Sequence, residues 1–349
     1  MTGVQTCALP ISSDGYISYE WVKEVGSSFT HIITGRGTGK TFMIKHMVDE
    51  YGRILFVRRT AVQMDAACDR ALSPFYEIFG EDIFLKKFKN FGGVWESEEA
   101  FKNGEKPFIT IVAMSTFQNM AGVDLRNMQC VVFDEYIPQK GERPMKHEFQ
   151  AYKNIMEIVY RNNFSKKVHT YFFGNSNAIS SNILIGCRLI TPLYNLVMSG
   201  KSFVRLPEQN TTLIYLKRTP IAEKKAKNDF YSSIGADRAG MELEADFSDL
   251  DLTNVKRCNL SEYIHDTRTP VFSIWRHKSN GTYYVTDVAK SQPISEYPHT
   301  TNGLELWQKD CASFLYRKYL SNKMLFATFE LQQLFVYSMD CAKWSEITI

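Results

Sequence analysis

The chain has 349 residues, of which 44% are hydrophobic and 23% charged, and its formal net charge is +3 at pH 7. This length allows two modest domains, and the composition is that of a globular protein, which excludes a disordered chain. The nearly balanced charge excludes a uniformly basic surface, so any nucleic acid would be bound by local basic patches. No apolar run predicts a membrane-spanning helix or a signal peptide, so we expect no membrane partner.

The seven cysteines lie far apart in the sequence, and none forms a C-x-x-C pair. This spacing predicts reduced, buried thiols in a cytosolic protein rather than a disulfide framework.

The first eleven residues resemble the in-frame translation of a sequencing-library adapter. We therefore expect residues 1–11 to be an artefact of sequencing, and we exclude them from the prediction of the fold.

A glycine-rich segment follows a short run of β-branched and apolar residues, 30–33, and precedes a segment without Gly or Pro, 42–50. Strand, glycine-rich loop and helix in this order predict a phosphate-binding loop, because glycines let several N–H groups face one anion. The predicted nucleotide-binding residues are Thr34, Gly35, Arg36, Gly37, Thr38, Gly39, Lys40 and Thr41. Lys40 would contact the β- and γ-phosphates of ATP, and Thr41 would bind Mg²⁺. Thr34 occupies the first glycine of the usual pattern, and a glycine-rich loop that merely contains a lysine is the alternative.

A second signal is the apolar run 128–133, which ends in Asp134 and Glu135. The last side chains of a buried parallel strand lie at the carboxyl edge of the sheet, where ligands bind in open α/β folds. Asp134 is therefore predicted to hold Mg²⁺, and Glu135 to orient and deprotonate the attacking water. An acidic turn cap is the alternative interpretation.

Further predicted strands at 53–59, 108–114 and 168–173 alternate with helices, including an amphipathic helix at 147–161. The predicted fold class is α/β: a P-loop (ASCE-type) ATPase domain at 12–208, whose mostly parallel sheet is flanked by helices. The polar segment 209–268 is predicted to be a linker or lid. A smaller α/β domain is predicted at 269–349, with strands at 271–275 and 282–286 joined by the turn Asn280-Gly281.

An ordered set of motifs resembles one known family. The blocks are 35–41, Val57-Arg58-Arg59, 132–137, 159–162 and 176–180. In this order they are similar to the DNA-packaging ATPases of small tailed phages of the phi-29-like group, relatives of the large terminase subunits. The resemblance covers nearly the whole chain.

The resemblance implies roles that spacing alone does not give. Arg36 matches a basic residue in the family's phosphate loop, and Asn177 matches the motif that couples phosphate state to movement. Arg161 matches an arginine finger that acts on a neighbouring subunit, which implies a homo-oligomeric ring. From the residues alone, Arg161 could equally be a silent cation at a helix C-terminus, and the polar residues after the fourth strand could be turn formers.

The family's second trans-acting base, a lysine, corresponds here to Ala61, and Arg58 or Arg59 is expected to compensate.

The second domain resembles the RNase H-like nuclease fold of terminases. The expected first strand, 271–275, contains no carboxylate, and Asp287 stands nearly alone, whereas two-metal cleavage needs converging acids. We therefore expect a vestigial domain without nuclease activity.

The leading hypothesis is an ATP- and Mg²⁺-dependent motor that moves double-stranded DNA into a phage procapsid in the cytoplasm of the infected bacterial host. Its expected partners are the DNA, the portal and procapsid and further copies of the chain, with a packaging RNA left open. The alternatives are a terminase with an active nuclease and a nucleotide-gated assembly factor that is not a motor. Glu135 after Asp134 speaks against the assembly factor, because a pure switch needs no positioned base.

Overall fold

The computed structural model describes residues 10–69, 71–80, 83–88, 92–97, 108–116, 125, 128–138, 145, 147–161, 167–175, 181–216, 219–227, 258–266, 269–288, 292–321, 323–327 and 329–340. The chain divides into two compact units. The first unit is drawn from Met1–Tyr136, His147–Asn175 and Ser199–Ser233, and the second from Ile137–Lys146, Ser176–Met198 and Ile234–Ile349.

Strands form one sheet in each unit. In chain order they are β1 (Phe29–Thr34), β2 (Ile54–Arg58), β3 (Ile83–Phe88), β4 (Gly92–Ser97), β5 (Ile109–Ala113), β6 (Cys130–Asp134), β7 (His169–Asn175), β8 (Phe203–Leu206), β9 (Thr211–Leu216), β10 (Cys258–Asp266), β11 (Thr269–His277), β12 (Tyr283–Thr286), β13 (Ser295–Pro298) and β14 (Met324–Phe326).

The helices are α1 (Tyr19–Val25), α2 (Met43–Tyr51), α3 (Ala61–Ala67), α4 (Pro74–Phe79), α5 (Glu148–Tyr160), α6 (Asn182–Gly186), α7 (Ile190–Ser199), α8 (Pro220–Ala226), α9 (Thr301–Trp307), α10 (Ser313–Leu320) and α11 (Phe329–Asp340). Among the described residues, no helix is both long enough and apolar enough to cross a membrane.

The sheet of the first unit has the order β3-β4-β5-β2-β6-β7-β1-β9-β8. The central strands from β5 to β9 pair in parallel, whereas β3, β4 and β8 are antiparallel at the two edges. The residues of β5, β6 and β9 are buried throughout, as expected for parallel strands covered on both faces. The predicted class, a mostly parallel sheet flanked by helices, is confirmed.

The parallel arrangement places the carboxyl ends of β1, β2 and β6 at one edge of the sheet. The capping box formed by Thr60 and Gln63 fixes the start of α3 directly after β2. Buried side chains of α2 (Met43, Ile44 and Met47) and of β1 and β2 (Ile32, Ile54 and Phe56) belong to one hydrophobic core. The residues that follow these strands are thus held on a packed scaffold.

The sheet of the second unit has the order β13-β10-β11-β12-β14. The neighbours β10, β11 and β12 are antiparallel, and the outer strands β13 and β14 run parallel to their neighbours. Its buried aromatic side chains include Phe272, Trp307 and Phe335, whose rings meet edge to face with centroids 5.8–6.1 Å apart. The second unit therefore has a core of its own.

The structure corrects the predicted linker at 209–268. Strand β9 lies inside that range, is fully buried and completes the parallel part of the first sheet next to β1, and α8 follows it. Strand β10, also in that range, is the first strand of the second sheet, so the predicted first strand is its second, β11. The polar composition misled the prediction because threonines in β9 and polar residues in β10 are compatible with paired strands.

The adapter hypothesis concerns residues 1–11, of which 1–9 lie outside the described residues. Pro10 and Ile11 contact the first unit: the Pro10 carbonyl accepts a hydrogen bond from the Ser18 N–H at 3.0 Å, and Ile11 forms an antiparallel bridge with Ile17.

Candidate nucleotide-binding site

The predicted phosphate-binding loop connects β1 to α2. Gly37 and Gly39 have φ angles of 69° and 95°, values at which glycine is favoured over residues with a side chain. A Cβ at Gly39 would also lie 2.9 Å from Cδ1 of Tyr16. Thr34 is still part of β1, which explains why a threonine fits where the usual pattern has a glycine.

Lys40 lies across this loop and is buried. Its Nζ donates to the Thr34 hydroxyl at 2.9 Å and to the Gly35 carbonyl at 2.8 Å, and the Thr34 and Thr38 hydroxyls lie 2.8 Å apart. Burial lowers the pKa of Lys40 to about 8, and the charges of Asp134 and Glu135 oppose that shift. The acidic pair therefore lies within electrostatic reach of the lysine.

Asp134 ends β6, and Glu135 follows it at the carboxyl edge. Asp134 is buried, and burial raises its pKa although the neighbouring Arg58 guanidinium works in the opposite direction. Glu135 has a φ of 53°, the left-handed region that costs a non-glycine residue free energy. Its Oε2 accepts hydrogen bonds from Arg58 at 2.8 Å and from Gln63 at 3.3 Å. A strained backbone held by side-chain contacts is typical of a functional site.

Arg58 is a site residue whose role the sequence did not give. In the register of β2 and β6 it lies opposite Asp134. Its Nη1 donates to Asp134 Oδ2, and its Nη2 donates to Glu135 Oε2. One guanidinium thus binds both acids. The sequence feature that could have indicated this role is a basic residue at the end of a predicted buried strand.

Arg59 has a different environment. Its Nε donates to Glu148 Oε1 at 2.6 Å, and both side chains are 1% exposed. A side chain so fully buried is not available to a neighbouring subunit, and Arg58 is engaged within its own chain. The expectation that either arginine replaces the lysine missing at Ala61 is therefore not supported by their positions.

Arg161 follows α5 and is exposed. The preceding residue, Tyr160, stacks on Phe29 with ring centroids 6.3 Å apart, and its hydroxyl donates to the Val168 carbonyl at 3.3 Å. Phe29 begins β1, whereas the phosphate loop follows its last residue, about 17 Å along the strand. The structure therefore does not bring Arg161 to the phosphate loop of its own chain.

The remaining predicted residues have different positions. Arg36 is exposed on the loop, and its charge contributes to lowering the pKa of Lys40. Thr41 lies in the turn before α2 and is half-buried. Asn177 lies outside the described residues. The hydroxyl of Thr41 and the carboxylate of Asp134 are oxygen donors of the kind that Mg²⁺ prefers.

A cavity of about 420 Å³ adjoins the phosphate loop, and the sequence analysis missed it. Its lining includes Tyr16, Gly39, Phe42, His46 and Asp14. Phe42 is 52% exposed, although large aromatic residues are usually covered. The rings of Tyr16 and Phe42 are 6.4 Å apart. This cavity has the size and the aromatic lining of a small-ligand pocket.

No family model and no curated protein matches the sequence. Solved structures do match. The bacteriophage Phi-29 viral genome packaging motor assembly aligns with a TM-score of 0.47 and 15% identity, over 94% of this chain and 99% of the other. The Phi-28 gp11 DNA packaging motor aligns with a TM-score of 0.46 and 13% identity, over 94% of this chain and 97% of the other.

A large terminase from a thermophilic bacteriophage aligns with a TM-score of 0.35 and 11% identity, over 91% of this chain and 84% of the other. In these comparisons the chain is similar to phage DNA-packaging motors and to a phage large terminase.

Proposed function

We propose that this chain is an ATP-hydrolysing motor that moves double-stranded viral DNA into a procapsid. The observation that carries the ATPase assignment is that β1 and β6 pair in parallel with the two sides of β7, so the loop with Lys40 and the pair Asp134 and Glu135 follow strand ends at one edge of the sheet. A cradle of N–H groups with a lysine, next to two acids, has the donors and charges that a magnesium nucleotide requires. The assignment to DNA packaging rests on the ordered set of sequence motifs.

Each residue of the site has a distinct role in this proposal. Loop N–H groups and Lys40 bind the phosphates, and Thr41 and Asp134 hold Mg²⁺, which neutralises charge on the phosphate oxygens. Glu135 orients the attacking water and accepts its proton. The cavity lined by Tyr16 and Phe42 receives the base, because aromatic faces stack on a purine.

Arg161 acts on the neighbouring subunit in a homo-oligomeric ring. This part rests on the family resemblance and on the position of Arg161 near the start of β1, far from its own phosphate loop. An arginine in that position can contribute to hydrolysis only through another copy of the chain. The ring would work at the portal of the procapsid, in the host cytoplasm, with a packaging RNA as a further candidate partner.

The second unit is proposed to be a vestigial nuclease with an RNase H-like fold. Within the part of the chain that the structure describes, no group of three or more His, Cys, Asp or Glu side chains could hold a metal ion.

One observation keeps an active nuclease as a second candidate. Strand β10, the first of the second sheet, carries Glu262, whose Oε2 is buried and has no hydrogen-bond partner among the described residues. Burial also raises the pKa of Glu262. Plasmid nicking with Mn²⁺ tests this candidate. Cleavage that is lost in both Glu262→Gln and Asp287→Asn would establish the nuclease, and intact plasmid with the wild type would exclude it.

The motor proposal is tested by measuring ATP turnover with and without duplex DNA. The wild type should hydrolyse ATP, and duplex DNA should stimulate turnover, because a translocase couples hydrolysis to its track. Glu135→Gln should lose turnover. Its matched control is Glu77→Gln, which changes an exposed glutamate of α4 and should keep turnover. Turnover that does not depend on DNA would contradict the motor, and an absence of ATP binding would contradict the ATPase itself.

A further inference from the structure

We propose that Arg58 is a positioning residue whose grip on Asp134 and Glu135 excludes Mg²⁺, so that the metal ligand and the catalytic base become available together only when Arg58 is displaced. The proposal rests on the proposed function, because it takes Asp134 as a metal ligand and Glu135 as the base. It adds a residue, Arg58, that controls when the site can bind Mg²⁺.

Arg58 forms its side-chain hydrogen bonds with this acidic pair, and its guanidinium also lies 6.0 Å from the centroid of the Phe56 ring. Its two terminal nitrogens bind different acids, Nη1 binding Asp134 and Nη2 binding Glu135 at 2.8 Å. The Arg58 side chain is 17% exposed and that of Asp134 is 9% exposed, so water screens this pair little. The Glu135 side chain is more exposed, at 27%. Charge-assisted hydrogen bonds are roughly twice as strong as neutral ones, so a cation has to replace strong interactions at these two acids.

Arg58 and Mg²⁺ compete for the same oxygens. The guanidinium supplies the positive charge next to Asp134 that a metal ion would otherwise supply. If Mg²⁺ bound Asp134 while Arg58 stayed in place, the two positive charges would repel each other. Glu135 Oε2 already accepts two hydrogen bonds, from Arg58 and from Gln63. These two donors fix the orientation of the Glu135 carboxylate, so releasing Arg58 lets the carboxylate turn towards the attacking water. Displacing the Arg58 guanidinium therefore releases the carboxylates of Asp134 and Glu135 at the same time.

Arg59, the next residue in the chain, holds the backbone in place while the Arg58 side chain is displaced. Arg59 is anchored in a buried pair with Glu148, the first residue of α5. Arg58 is also paired along its backbone with β6 on one side and β5 on the other. The backbone at Arg58 is thus held, and only its side chain has to move. Its Nε is buried and has no partner among the described residues, so no contact of that atom opposes the movement.

The test is calorimetric titration of the full chain with Mg²⁺ in the absence of nucleotide. Arg58→Gln should bind Mg²⁺ roughly tenfold more tightly than the wild type, because the competing cation is gone. The matched control, Arg53→Gln, removes an arginine just before the opposite end of β2 and should leave the affinity unchanged. Equal Mg²⁺ affinity in Arg58→Gln and the wild type would overturn the proposal.

Thermal unfolding separates gating from a purely structural role. Arg58→Gln should lose stability in EDTA and recover it when Mg²⁺ is added, since the ion then compensates the two acids. A loss of stability that Mg²⁺ does not reverse would contradict the proposal. If Arg58→Gln fails to fold, Arg58→Lys serves in its place, with an expected gain in Mg²⁺ affinity of roughly threefold.

The two proposals can fail separately. A wild type that hydrolyses ATP, together with an unchanged Mg²⁺ affinity in Arg58→Gln, would overturn the role of Arg58 and leave the ATPase standing. A wild type that binds no ATP, together with tighter Mg²⁺ binding in Arg58→Gln, would overturn the ATPase and leave the competition between arginine and metal intact.

Discussion

The Nδ1 of His31 lies 3.1 Å from the hydroxyl of Tyr136, the residue that directly follows Glu135. The His31 ring also stacks on Phe172, with centroids 4.0 Å apart and an interplanar angle of 1°. His31 is in β1 and Phe172 in β7, so this buried group joins the strand before the phosphate loop to the residue after the acidic pair.

This environment predicts an acid-sensitive fold. Burial lowers the pKa of His31 to about 3. The unfolded chain binds a proton at this residue below about pH 6.5, whereas the folded chain does not, so stability is lost as the pH falls from 6.5 towards 3. The expected contribution is about 2 kcal/mol between pH 8 and pH 5. Chemical denaturation should show that His31→Phe removes this part of the pH dependence. His46→Gln, at an exposed histidine, should not, and equal pH dependence in His31→Phe and the wild type would contradict the prediction.

The proposed base gives a second prediction. Glu135→Gln should bind ATP with nearly unchanged affinity but hydrolyse it at least about 100-fold more slowly, because the amide cannot accept the proton from water. Nucleotide binding and single-turnover hydrolysis distinguish the two effects. Wild-type hydrolysis in Glu135→Gln would remove Glu135 from the mechanism.

The position of Arg161 predicts complementation between mutants. Arg161→Ala should lower turnover about 1,000-fold or more, whereas Lys153→Ala on the same helix should not. In a mixture of Glu135→Gln and Arg161→Ala chains, random assembly pairs an intact Glu135 with an intact neighbouring Arg161 at roughly one site in four. Activity should therefore return on mixing. A mixture as inactive as its components would argue against action in trans.

The glycines allow a matched comparison. Gly39→Ala should weaken ATP binding, because a Cβ there combines a φ of 95° with a contact of 2.9 Å to Tyr16 beside the loop. Gly52→Ala is the control, since Gly52 has a φ of 70° but no atom within 4 Å of the added Cβ. Each should lose about 1 kcal/mol or more of stability from backbone strain. Only Gly39→Ala should lose affinity for nucleotide, and an equal loss in both would contradict the role of the loop.

The buried pair of Arg59 and Glu148 predicts a strong coupling. Arg59→Met alone should destabilise the fold by about 3–5 kcal/mol, because it leaves the Glu148 charge buried without its partner. The double variant Arg59→Met/Glu148→Leu should lose less than the sum of the single variants. Denaturant unfolding of the four chains measures this coupling, and additive losses would show that the pair does not interact.

Local sequence determined the parts of the site that are contiguous in the chain. The strand, glycine-rich loop and helix from β1 to α2 could be predicted because they follow one another directly along the chain, and the binding of phosphate by this loop stays a prediction. The acidic end of β6 could be predicted from a single apolar run that ends in Asp134 and Glu135. In these segments the pattern and the chemistry lie in the same few residues.

Tertiary structure decided everything that depends on which strands are neighbours. Arg58 binds the two acids because β2 pairs with β6 in a register that sets Arg58 opposite Asp134. Strand β9 belongs to the first sheet, and β10 is the first strand of the second, although both lie in a polar segment. Hydrogen bonding to neighbouring strands stabilises them as strands despite their polar composition. Arg161 lies far from its own phosphate loop because α5 runs from the Arg59 pair back to the start of β1. Spacing along the chain does not encode these neighbours, since the free energy that selects them comes from packing and pairing between distant segments.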